Sequence, residues 1–295
     1  MVISNGSASW LLTALLLSWY PKNQSKKGLV PIVGWSCVVM LNMITRRTFA
    51  ESAVCGLAGS VLGLAGSGCL SLQETKLSLS AFKYAQSTIS EDRVYRGGSS
   101  SRRVPISFLF YLIEMDGRRI LVDTGCDSIR GFKLEHFISP VALLKRHGVM
   151  VESVSDVIVT HAHQDHIGCV TSFKNSVIHI QKSEAVAGAK YLGGLHVEPF
   201  DESKTIYDRI EVKRIAGHSI GSSIVIVRHQ DRRIVLAGDE CYVRGCLDRK
   251  IPTGTSCNPK KSEEFIRTYS SGEYEVHLYH DFSILPDQNG VLKLI

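Results

Sequence analysis

Three histidines and an aspartate fall within six residues at His161-Ala162-His163-Gln164-Asp165-His166, directly after Val157-Ile158-Val159-Thr160. The β-branched run reads as a short strand. Gly168 and the apolar residues after it suit a turn into a helix. Neutral imidazole is the commonest metal ligand, and a carboxylate completes a zinc-type donor set. Only 11 of the 295 residues are histidine, so composition does not produce such a cluster, and solvated loop histidines account for it poorly. The stretch places a transition-metal site at the end of a strand.

The length allows one or two domains and is ample for a full core. The net charge is +6. Half of that excess lies in the first 75 residues and no Lys/Arg block stands out in the rest, so nucleic-acid binding has little support. The expected partner is a small molecule. The eight cysteines form no CxxC pair, which disfavours a thiolate zinc ribbon. Three precede residue 70 and leave an odd five, which argues against a fully paired disulfide framework. One small loop from Cys246 to Cys241 or Cys257 stays open beside free thiols.

The apolar run at residues 10–19 is short of the roughly 20 residues that a spanning helix needs, and no stable membrane span is expected in the mature domain. Arg46-Arg47, followed at one remove by Phe49 and then by a weakly apolar Gly/Ala/Leu stretch, resembles a twin-arginine export signal. The hypothesis is that residues 1–42 are an over-long gene start, with Met43 (or Met40) as the true one. Residues 43–75 are then signal and linker, and residues 76–295 the functional domain. A cytoplasmic precursor found by mass spectrometry to begin at Met1 contradicts it. The destination is periplasmic, with a lipid anchor at Cys69 or a cytoplasmic location as the alternatives.

In the body, strands are expected at residues 76–86, 104–114, 119–123, 155–160, 177–181, 210–215, 223–229, 232–237 and 275–279. Asp116-Gly117 turns the second into the third. Helices are expected at 141–147 behind Pro140, at 167–173, at 183–189 with Ser183 as cap, and at 259–271. Residues 93–103 and 191–195 read as loops. This mixture predicts an α+β chain with two mixed sheets packed together and helices outside. Four more polar residues sit at strand ends: Asp123, His218, Asp239 and His280.

Together these features resemble the metallo-β-lactamase superfamily. His161-Ala162-His163-Gln164-Asp165-His166-Ile167-Gly168 is similar to its HxHxDHxG signature. Asp123-Thr124-Gly125, Gly217-His218-Ser219-Ile220-Gly221-Ser222, Gly238-Asp239 and His280 match its other motifs in order. The resemblance covers roughly residues 76–295 and implies an αββα sandwich with the site at one rim. It further implies that His161, His163 and His218 hold one zinc, that Asp165, His166 and His280 hold a second, and that Asp239 bridges both. Two zinc ions so placed lower the pKa of a shared water, giving a hydroxide nucleophile. Asp123 then orients a ligand histidine, unless it is only a turn-forming residue.

Asp239 in the fourth motif is not the cysteine of some true β-lactamases. His163 is not the glutamate of the flavo-diiron oxidoreductases. Both points favour a two-metal hydrolase. Tyr242, three residues after Asp239, resembles the Asp-x-x-Tyr of the quorum-quenching N-acyl-homoserine lactonases, where that phenol reaches the lactone oxygens; a tyrosine packed at the rim is the plainer reading. Leu278-Tyr279-His280-Asp281 looks like the same branch's terminal Gly-His-Asp, with Tyr279 in place of glycine adding bulk beside His280. The expected reaction is hydroxide attack on a lactone carbonyl. Asp165, Asp239 and Tyr242 are the catalytic candidates. Thioester, β-lactam or phosphoester hydrolysis, and an exported metal-binding protein without turnover, are the alternatives. Phe108, Phe110, Tyr111 and the 192–195 loop are candidates for acyl-chain contact, with core packing favoured for the three aromatics. Oligomeric state stays open, a homodimer included.

Overall fold

Alternation of side chains along the strands builds the frame. In the strand Asp156–Val159 (β4), Val157 and Val159 belong to one apolar cluster and Ile158 to another. In Ser223–His229 (β9), Ile224 and Ile226 face one way, Val225 and Val227 the other. Strands buried on both faces must lie in the middle of a layered structure. The computed structural model describes residues 76–285 and 288–295 and shows those layers: two mixed sheets packed face to face with helices outside, an αββα sandwich. The arginine pair, the alternative start and Cys69 lie outside the described residues. Among the described residues no helix is long and apolar enough to cross a membrane.

The first sheet takes Leu77–Ser90 (β1), Arg103–Met115 (β2), Arg118–Val122 (β3), β4, Val177–Gln181 (β5) and His196–Phe200 (β6), with Gly290–Lys293 (β12) on its outer edge. β2 and β3 form the expected hairpin. Asp116 and Gly117 turn it with φ of 52° and 76°, the paired left-handed geometry of a two-residue turn. The second sheet runs Glu275–His277 (β11), Arg232–Leu236 (β10), β9, Ile210–Arg214 (β8) and Ser203–Ile206 (β7). Leu79, Tyr111, Ile120, Ile158, Val225 and Leu236 belong to the apolar layer between the sheets.

Helices are Glu91–Val94 (α1), Pro140–Arg146 (α2), Gln164–Ile167 (α3), Lys182–Ala187 (α4), Ala189–Leu192 (α5), Arg244–Arg249 (α6) and Pro259–Tyr269 (α7). Several differ from the sequence reading. The expected 167–173 helix is instead α3, placed earlier, and a tight turn at Val170–Ser172. The cap of α4 is Gln181, whose side chain accepts from the Ser183 amide at 2.6 Å, not Ser183. α5 occupies the start of the 191–195 loop. β6, β7, β12, α1 and α6 are additional. All five cysteines of the body are free thiols, four of them buried.

Parallel pairing puts the strand ends where a site needs them. β3 pairs parallel with β4, and β10 with β11. The segments after their C-terminal ends therefore emerge side by side, Asp123 next to His161 in one sheet and Asp239 next to His280 in the other. The Ser223 amide donates to Thr160 O at 3.0 Å and links the two sheets at that rim. At the N-terminal end of β4, a buried network fastens the opposite edge. His179 Nε2 lies 2.8 Å from Asp156 Oδ1, and Tyr207 donates to Asp156 Oδ2 at 2.9 Å. Burial pushes the Asp156 carboxyl up, but its donors outweigh that and hold it below the usual range.

Candidate metal centre

All seven residues expected to carry the site meet at this rim. His161, His163, His218 and Asp239 form one group of donor atoms, and Asp165, His166 and His280 a second. In the first, His163 Nδ1 lies 2.9 Å from His161 Nε2 and 3.0 Å from His218 Nε2. Asp239 joins the groups. Its Oδ1 is 3.1 Å from both His166 Nε2 and His280 Nε2, and its Oδ2 is 3.4 Å from His218 Nε2 and 3.7 Å from His161 Nε2. His280 Nε2 and His166 Nε2 each stand 3.6 Å from Asp165 Oδ2.

The residues present fit metal ions. His166 Nε2 and Asp239 Oδ1 are buried and close, yet neither makes a sound hydrogen bond. Buried polar atoms left this way call for a further partner. Convergent imidazole nitrogens with carboxylate oxygens are the donor set zinc prefers. The two groups differ in charge state. Burial and the neighbouring imidazoles hold His161 well below the ordinary histidine range, and burial brings His218 to about 4, so both are neutral near pH 7. Burial also pushes His166 down, but Asp239, Asp123 and Asp165 outweigh it and raise its pKa. Burial disfavours the Asp239 carboxylate, and His166, His280 and His218 more than offset that.

The outer contacts orient these donors. Asp123 Oδ2 lies 2.7 Å from His166 Nδ1, and the Asp123 carboxylate accepts from the Thr160 amide and hydroxyl, both at 2.8 Å. Its bonds reach Thr160, just past β4, and His166 on α3 rather than its own turn, and its backbone is left-handed with a φ of 62°. His280 Nδ1 donates to Ser107 O at 2.8 Å, which turns Nε2 toward Asp239. Such partners fix the tautomer and the ring of a ligand histidine.

Sequence reading missed three residues of this shell. Glu184 on α4 is buried; it accepts from the Ala162 amide at 2.8 Å with one oxygen, and from Ser219 Oγ at 2.7 Å and the Gly221 amide at 2.8 Å with the other. Glu240 accepts from the Gly217 and His218 amides and from the Ser222 hydroxyl, and burial raises its carboxyl to about 7. A Cβ on Gly217 would stand 2.1 Å from Glu240 Oε2, so this approach requires glycine. Thr255 Oγ1 donates to the Tyr242 hydroxyl at 2.9 Å. A carboxylate on a helix and a threonine in a loop carry no local signal. Glu240, adjacent to Asp239, was within reach, since an acid that interrupts a buried apolar strand end needs a reason.

A cavity of about 310 Å³ is lined by the donors His163, Asp165, His218, Asp239 and His280. Tyr242 lines it too, with its ring 4.8 Å from that of His280 and 5.8 Å from that of His218. Tyr279 does not line it. Its side chain is fully buried between the sheets, 5.2 Å from the His166 ring and 4.9 Å from Tyr111. The bulk that replaces glycine before His280 is therefore core. Phe108 both packs in the core and lines the cavity; Phe110, Tyr111 and residues 192–195 do not reach it.

The model of the metallo-beta-lactamase superfamily matches residues 109–264, just over half of the chain. The chain belongs to that superfamily. Metal binding and hydrolysis are what this fold family supports. An N-acyl homoserine lactonase of Bacillus cereus is 27% identical over 168 residues, covering 48% of this chain and 67% of that protein. An N-acyl homoserine lactone hydrolase solved with N-hexanoyl-L-homoserine at its catalytic metal center superposes with a TM-score of 0.63 at 19% identity, over 70% of this chain and 94% of that one. A dizinc quorum-quenching lactonase superposes with a TM-score of 0.56 at 14% identity, over 71% and 89% of the respective chains. At these identities the superpositions speak for the fold alone.

Proposed function

We propose that this superfamily member is a two-zinc hydrolase that opens the ring of an N-acyl homoserine lactone. The carrying observation is the placement of Tyr242. Tyr242 lines the cavity with its ring beside His280 of one donor group and His218 of the other, and its hydroxyl accepts from Thr255, which leaves its own proton free to donate. Burial, foremost, and Asp239 keep the phenol well above its ordinary pKa, so it is a donor at neutral pH. His161, His163 and His218 would hold one zinc and Asp165, His166 and His280 the other, with Asp239 shared between them. Zinc ions held there would supply Lewis acidity toward a carbonyl and a water acidified to near neutral pKa. Tyr242 hydrogen-bonds the oxygen on which charge develops as the carbonyl carbon becomes tetrahedral. Phe108 and the cavity isoleucines Ile89, Ile106 and Ile129 receive the acyl chain and exclude water. The named lactonase among the relatives supports the substrate class.

The test is metal analysis with a panel of lactone, thioester, β-lactam and phosphoester substrates. Tyr242→Phe is expected to lower kcat on the lactone roughly 10- to 100-fold with a smaller change in KM. Unchanged lactone kinetics in that variant remove Tyr242 from the reaction. Faster turnover of another class in the wild type overturns the lactone assignment.

A further inference from the structure

Ile89, Ile106, Phe108, Ile129 and Phe132 give the cavity its apolar lining, and one other side chain there, outside the donor groups, is out of character. Arg93, on α1, lines the same cavity and is also exposed to solvent. Its guanidinium lies 6.0 Å from the centre of the Phe132 ring. Among the described residues no carboxylate pairs with it, whereas nearby Arg102 is engaged by Glu91 at 2.9 Å.

Its position is built rather than incidental. The Gly254 amide donates to Arg93 O at 3.1 Å, and the Arg96 amide to Pro252 O at 2.9 Å. The two segments pack so closely that a Cβ on Gly254 would stand 1.6 Å from Asp92 O. The loop thus fixed to α1 also carries Thr255, the donor to Tyr242. Arg93 and the orienting partner of Tyr242 therefore belong to one docked unit at the cavity mouth. The charge of Arg93 is felt at the Tyr242 phenol, where it works against the effect of burial.

A cation with no counter-charge in such a wall has consequences for what fills the cavity. A purely apolar acyl chain laid over it strips water from the guanidinium and returns nothing. An anionic oxygen group replaces that water with charge-assisted, two-pronged hydrogen bonds suited to the planar fork. We propose that Arg93 is a specificity-determining residue that selects substrates carrying a carboxylate or phosphate on the portion remote from the cleaved bond. This rests on the hydrolase reading above and narrows its substrate class.

The experiment uses the metal-loaded full chain and three homoserine lactones of matched length: hexanoyl, adipoyl with a free terminal carboxylate, and 6-phosphohexanoyl. The expected wild-type kcat/KM favours one of the anionic lactones over hexanoyl by about tenfold, and which one identifies the anion. In Arg93→Gln that ratio collapses by about the same factor, in Arg93→Lys part of it survives, and in Arg93→Glu it inverts. A ratio that Arg93→Gln leaves unchanged overturns the proposal. Binding of ring-opened adipoyl-homoserine and hexanoyl-homoserine, read by calorimetry, separates this from the lactone reading. If no lactone turns over but Arg93→Gln weakens the adipoyl ligand about tenfold relative to hexanoyl, the selectivity stands and the lactone reading fails. If the lactones turn over and neither ratio depends on Arg93, the reverse holds.

Discussion

Replacing Asp239 by asparagine is expected to abolish turnover, with kcat/KM falling on the order of a thousandfold or more. The reason is its unique place between the donor groups. One oxygen lies 3.1 Å from the ring nitrogens of His166 and His280, while the other faces His218 and His161 at 3.4 and 3.7 Å. An asparagine of nearly the same shape keeps one acceptor and turns an amide, two donors and no charge, toward nitrogens that must themselves be unprotonated to bind metal. The site loses a negative charge that is buried and offset by nothing else shared between both groups. Metal content of the purified variant is expected to drop below two equivalents, with the circular dichroism spectrum unchanged. A variant that keeps two equivalents and activity within tenfold of wild type would rule out the bridging role.

The second large effect is expected at a residue that does not touch the cavity. Glu184 joins two loops that are distant in sequence: the one with Ala162 between His161 and His163, and the one that follows His218. Three donors converge on its carboxylate at 2.7 to 2.8 Å. Glu184→Gln puts an amide where only acceptors fit and leaves a buried donor unsatisfied, at a cost of about 1–3 kcal/mol. Because His163 is exposed and depends on its loop for position, affinity for the ion of the His161, His163 and His218 group is expected to fall roughly 10- to 100-fold, as for other partners behind metal ligands. Chelator competition reads it directly. Glu184→Asp, which keeps the acceptors on a shorter arm, is expected to fall between the two. Equal metal affinity in all three proteins would reduce Glu184 to a helix residue that happens to lie near the loops.

Much of the frame was legible because it is local. β5 and β9 match the expected ranges residue for residue; a β-branched run apolar on both faces explains β9, and the alternating Ile178 and Ile180 explain β5. β6 and β7 were missed for the opposite reason. They are short and half-exposed, and β6 contains Pro199, so neither carries the apolar periodicity of an inner strand. The α4 cap was displaced because Gln181 reaches forward to the Ser183 amide, a rarer solution than a serine cap.

The sequence by itself determined the donor inventory. Four donors in six residues, with Asp123, His218, Asp239 and His280 at strand ends, fix which atoms are offered, since a strand followed directly by a polar turn exposes those side chains at one rim. Only the tertiary structure decided how they are used. Parallel pairing of β3 with β4 and of β10 with β11 brings the segments together. The turn after β11 sends Tyr279 into the core and not the cavity. Close packing of α1 against Gly254 sets Arg93 at the mouth, and Glu184 braces loops 22 and 35 positions away. Contacts at such separations leave no period or spacing in the chain, because they are made by the packing of whole elements rather than by neighbouring residues.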